Sequence, residues 1–171
     1  FANGVTALGM RSEEFVLSGW NGEDFEDLDL LLDTLSSDLN LLAEQHKSYP
    51  ILHYYHSEGQ AEASAVAVAV LSDSITLIQF GVPDENEPNS ALIESARSSV
   101  NDYVQTRNNA VIEPAEQPPP PPDLDHLRES QIPTVSDVEF AEALAERSDS
   151  RRKLLGAVKA DAWHWPSGND T

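Results

Sequence analysis

The sequence predicts an all-α protein, an irregular bundle of about five or six helices around a central, buried Ala/Val-rich helix. Three observations carry that expectation. Apolar residues recur at spacings of three and four in several long segments. One run of roughly 20 residues is almost wholly apolar and holds no turn signal. Prolines fall between these segments and not inside them, as expected where each removes a helical donor.

Residues 1–22 carry Gly4, Gly9, Gly19 and Gly22 and no clean apolar period, so they read as a connecting arm. A short helical piece is expected at Ser12–Leu17, opened by Ser12-Glu13-Glu14. A helical core follows over residues 23–112. Its first helix runs from Glu23 to about His46, with Leu28, Leu32, Leu35, Leu39 and Leu42 on one stripe and Asp27, Asp29, Asp33 and Asp38 on other faces. This leucine seam suits packing either inside the chain or against another subunit.

Tyr49-Pro50 interrupts that helix, and Ile51 to His56 reads as a short aromatic helical stretch. In residues 60–80 the alternation from Ala65 to Val70 also suits a buried strand. Length, alanine content and the lack of a partner strand favour a central helix. Gly81-Val82-Pro83 ends it, Asn89 or Ser90 caps the next, and Ala91 to Arg107 places Leu92, Ala96, Val100, Tyr103 and Val104 at helical spacing.

Residues 113–134 form a Pro-rich spacer, in which Pro118 to Pro122 adopt polyproline II and Leu124 to Arg128 make one helical turn. The same proline run also suits an aromatic recognition groove. Residues 135–171 supply C-terminal helices that pack on the core. Ser136 and Glu139 have capping-box spacing ahead of a helix over Asp137–Arg147. A second runs from Ser148 or Asp149 to Ala160, and Trp163-His164-Trp165-Pro166 seals the core.

Asp and Glu number 30 against 10 Lys and Arg, giving a formal charge of −20. Such a chain repels phosphates, so nucleic-acid binding and peripheral membrane binding are disfavoured. Acidic residues are spread from Glu13 to Asp170, which favours a salt-adapted, halophilic surface over a localised acidic tail. There is no cysteine, which excludes disulfides and thiolate chemistry. No stretch is expected to span a bilayer, and the absence of an initiator Met before Phe1 suggests a chain that starts within a longer protein.

Catalytic signatures are missing: there is no Gly-x-Ser-x-Gly elbow and no Gly-rich phosphate loop, and a non-enzyme without cofactors is expected. Glu13-Glu14 and the Asp123/Asp125 pair read as solvated surface. His53 and His56, with His46 nearby, are weak metal candidates, because two histidines supply half a tetrahedral site. The blander use is to cap the junction around Pro50. Arg151-Arg152-Lys153 suits internal salt bridging, with the acidic first helix or anionic lipid as the partners considered.

The block from Leu41 to Ser57, centred on His46-Lys47-Ser48-Tyr49-Pro50-Ile51-Leu52-His53-Tyr54-Tyr55-His56, resembles a cytosolic segment of prokaryotic two-transmembrane ion-channel proteins of the potassium-channel type. Ala69-Val70-Leu71-Ser72-Asp73, Arg151-Arg152-Lys153-Leu154-Leu155 and Trp163-His164-Trp165 are similar to later elements of that family. A Trp common at the start of the Ala-rich helix is absent, and Ser72 displaces an Asp.

No Thr-x-Gly-Tyr-Gly filter occurs, so conduction lies outside this chain. The resemblance implies a non-catalytic assembly or gating domain at the cytoplasmic face, partnered by an upstream transmembrane pore of the same polypeptide. A homo-oligomer is implied, without nucleic acid and without membrane insertion by this segment. Its expected interaction residues are Tyr49, Pro50, Tyr54, Tyr55, His56 and the leucines from Leu28 to Leu42. The alternatives are a free-standing halophilic protein-binding module using the His53–His56 patch, or an unrecognised enzyme, metal-dependent or not.

Overall fold

A computed structural model describes residues 1–48, 58–108, 112–160 and 164–166. Among these residues the chain is all-α, without strands. Its helices are α1 (Ala2–Thr6), α2 (Ser12–Ser18), α3 (Asp29–Ser48), α4 (Glu58–Gly81), α5 (Ser90–Asn108), α6 (Leu124–Glu129), α7 (Asp137–Glu146) and α8 (Ser148–Ala160). Single 3-10 turns at Glu26–Leu28 and Asp84–Asn86 lead into α3 and precede α5.

The Ala/Val-rich segment forms α4, the axis of the fold. Ala65, Ala67, Val68, Ala69, Leu71, Ile75, Leu77 and Ile78 are fully buried, and α1, α2, α5, α7 and α8 all pack on it. An alternating Ala/Val run lets neighbours approach on every side, so helix and not strand meets the need for burial all round. Contrary to the expectation from sequence, Ser64–Gly81 is long and apolar enough to cross a membrane by length and composition. Here 83% of that window is buried within the fold, as in a core helix.

The leucine stripe lies in the core: Leu28, Leu32, Leu35 and Leu39 are buried and Leu42 is partly so. The chief partner of α3 is α5 and not the Ala-rich helix, with Ile93, Ala96, Val100, Tyr103 and Val104 buried opposite. A backbone-to-side-chain bond links the starts of both helices, where the Asn89 backbone N–H donates to Asp29 Oδ1 (3.0 Å). Asn89 in turn accepts from the Ala91 N–H at 2.9 Å and caps α5. Leu30 and Leu41 face outward.

Residues 1–22, expected as an arm, contribute core. Val5, Phe15 and Val16 are fully buried where α1 and α2 lie against α4. The cause is the close approach that small residues allow: a Cβ on Gly19 would stand 2.3 Å from Leu28 Cγ, so the end of α2 rests directly on that leucine. α6 ends in a Schellman motif. The Ile132 N–H bonds to Leu127 O and the Gln131 N–H to Arg128 O, with Gln131 at φ 62. The capping box at α7 is formed, with Ser136 and Glu139 bonding reciprocally.

The proline run is held against the helices and not solvated all round. Pro119 and Pro122 are buried while Pro118, Pro120 and Pro121 are exposed, the spacing of one face of a three-residue helix. Upstream, Ala115 N–H donates to Arg152 O (3.0 Å) and Arg152 Nε donates back to Ala115 O (2.8 Å). Gly156 makes this approach possible, since a Cβ there would lie 2.3 Å from Glu113 O. Gly156→Ala is therefore expected to cost about 1–3 kcal/mol by overpacking, despite alanine's better helix propensity. The Ala115 amide should then exchange faster in hydrogen-exchange measurements.

Candidate functional site

A polar patch interrupts the apolar surface of α4 at Ser72, Asp73, Ser74 and Thr76, all buried. A buried polar group is costly unless it is bonded, so the partners identify what this patch does. Ser74 Oγ donates to Val70 O at 2.7 Å, and also approaches Ser12 O on α2 at 3.3 Å. Thr76 Oγ1 donates to Ser72 O at 2.8 Å.

Asp73 is the centre of a clamp. Arg151 of α8 meets it through two parallel bonds, Nε to Oδ1 and Nη2 to Oδ2, both 3.1 Å. The Trp165 indole N–H donates to the same Oδ2 at 3.2 Å, and the guanidinium lies 5.9 Å from the Trp165 ring centroid. The remaining Arg151 donors reach Pro119 O (3.2 Å) and Pro120 O (2.7 Å). Prolines supply carbonyls but no N–H, so a guanidinium suits them. Burial pushes the Asp73 carboxyl above the usual carboxylate range and the charge of Glu13 adds to this, while Arg151 and Trp165 oppose it.

Glu13, expected on the surface, is buried. Its Oε1 accepts from the Asp123 N–H (2.9 Å) and its Oε2 from Ser12 Oγ (3.3 Å), which ties α2 to the start of α6. Arg151 pairs with Asp73 of α4, and Arg152 with Asp149 of its own helix at 3.5 Å. Neither reaches the acidic first helix.

Beside the clamp, a cavity of about 230 Å³ opens between α4, α5 and α8 at the α7–α8 corner. Arg97, Arg147, Arg151 and Lys153 line it together with Ser72 and Thr76. Arg97 is buried; Nη1 donates to Thr76 Oγ1 (3.1 Å) and Nη2 to Gln79 Oε1 (3.1 Å). Burial first and the charge of Arg147 second lower its pKa to about 10.

The predicted site residues separate accordingly. Leu28, Leu32, Leu35 and Leu39 are core. Tyr49, Pro50, His53, Tyr54, Tyr55 and His56 lie outside the described residues, as does the side chain of His46. Among the described residues no group of three His, Cys, Asp or Glu could hold a metal ion. Sequence reasoning missed Asp73 and Arg97 as centres. The signal available for both was a charged residue on an otherwise apolar helical face.

Over 166 residues, 97% of its length, the chain is 44% identical to the uncharacterized membrane protein YdjJ of Bacillus subtilis (strain 168). It spans 49%, about half, of that protein's length. No family model matches the chain, and no solved structure matches it.

Proposed function

We propose that this chain is a non-catalytic helical domain of a membrane protein, lying at the cytoplasmic face. There it assists subunit assembly or biases the opening of an ion-conducting pore carried elsewhere on the same polypeptide. The observation that carries this reading is the 44% identity, over nearly the whole chain, to half of a protein named as a membrane protein. The channel-like part rests on the resemblance of residues 41–57 and of the Arg151–Leu155 and Trp163–Trp165 elements to two-transmembrane channel proteins.

The packing supplies a route for such a role. α1 and α2 are seated on α4, and α4 is fixed to α8 by the Asp73–Arg151 pair. Movement applied at the first residues would reach the proline segment and α8 through α4. Among the described residues the two buried acids, Asp73 and Glu13, are held by structural partners, which supports the non-catalytic part of the reading.

Removing residues 23–171 from the full-length protein tests the proposal. A changed open probability or a changed oligomer size is expected. Identical currents and identical oligomer size would overturn it.

A further inference from the structure

The cavity between α4, α5 and α8 reverses the electrostatic character of the chain. Across the whole sequence acids outnumber cations by 30 to 10. The cavity lining holds Arg97, Arg147, Arg151 and Lys153 and no Asp or Glu. Among cations with described side chains outside the cavity, all but Lys159 are paired. Arg11, Lys47, Arg128 and Arg152 each have a carboxylate partner, at 3.6, 2.8, 2.7 and 3.5 Å in turn. Arg151 is matched by Asp73 at 3.1 Å. Arg97, Arg147 and Lys153 form no ion pair among the described residues, and Arg147 instead lies 5.2 Å from the centroid of the Phe80 ring.

Arg97 is the most telling of the three. It is 7% exposed, and its Nε has no hydrogen-bond partner. Its bonds go to neutral oxygens of Ser72, Thr76 and Gln79, and the nearby Glu94 accepts a hydrogen bond from Gln79 Nε2 at 3.0 Å. Asp73 and Glu94 act on Arg97 without a direct ion pair, and a guanidinium buried in this way beside a second guanidinium is stabilised when an anion enters. Arg147 is half-buried and Lys153 exposed, so the cavity communicates with solvent on their side.

We infer that this cavity is a binding site for a phosphate group. Three cations without carboxylate partners balance a dianion better than a single carboxylate. They also come from different elements, α5, the α7–α8 corner and α8, which suits a tetrahedral ligand with oxygens on several sides. At about 230 Å³ the space exceeds a lone phosphate, given about 30 Å³ for each water of liquid, and leaves room for an organic substituent. The site stands whether or not the chain governs a pore.

The test is thermal unfolding of the purified protein in sodium phosphate against sodium chloride and sodium acetate at matched ionic strength. Low-millimolar phosphate should raise Tm where the other salts do not. The Arg147→Gln/Lys153→Gln double variant should need about tenfold more phosphate for the same rise, whereas Lys159→Gln, on the same helix but outside the lining, should match wild type. The Arg97 Nε–H resonance should shift on phosphate addition, a readout that does not depend on how the variants fold.

Vesicles of phosphatidic acid against phosphatidylcholine separate the sources. Co-sedimentation that free phosphate competes away identifies a lipid headgroup, and phosphate binding without vesicle binding identifies a soluble phosphate compound. Equal stabilisation by acetate, equal response of all variants, or an unmoved Arg97 resonance would overturn the assignment.

Discussion

Arg151→Ala is expected to destabilise the protein by about 3–5 kcal/mol, because it leaves the Asp73 carboxylate buried without its counter-charge. Two proline carbonyls lose their donor at the same time, so the proline run should open before the rest of the fold. Replacing both partners by apolar residues, as in Asp73→Leu/Arg151→Met, should recover most of that loss, since neither charge is then stranded. The neighbouring Arg152→Ala gives the internal control. Its ion pair to the exposed Asp149 is worth under about 1 kcal/mol, and its bond to Ala115 O about 1 kcal/mol more. Urea unfolding of the variants measures the differences, and equal effects at Arg151 and Arg152 would remove the clamp from the account.

Leu39→Ala should cost about 2–5 kcal/mol, since Leu39 is fully buried between α3 and α5 and its loss leaves a cavity. Leu30, on the same helix, is 78% exposed, and Leu30→Ala should fall within about 0.5 kcal/mol of wild type. The contrast reads out the rotation of α3 about its own axis. Similar losses at both positions, measured by denaturant unfolding, would mean that α3 presents a different face to α5.

The longer helices were legible because they announce themselves locally. The leucines from Leu28 to Leu42, the Ser136–Glu139 capping box and the prolines at positions 83 and 133 all act within a few residues of the structure they specify. What α3 packs against was not legible, because a leucine stripe is equally compatible with α4, α5 or a second subunit. α1 was missed, and α2 with it was taken for part of an arm. Glycines in 1–22 suggested a tether, yet Gly19 serves as a contact surface for Leu28.

The clamp shows the same division. Arg151 stood out as part of a basic cluster, but its partner is 78 residues away in sequence, and Asp73 looked like an interruption in an apolar run. Likewise Pro118 to Pro122 specified polyproline II by local sterics, while nothing local indicated that a guanidinium would hold their carbonyls. The cationic cavity was hidden by composition itself: a net charge of −20 argues against phosphate binding on average, whereas folding gathers Arg97, Arg147 and Lys153 from three elements into one place.

Ion flux through liposomes reconstituted with the full-length protein tests the central claim most directly. A potassium flux above that of empty liposomes, altered when Arg151→Ala loosens α8 from α4, is the result expected of a domain that biases an attached pore. Liposomes no more permeable than empty ones, or a flux indifferent to Arg151→Ala, would contradict it.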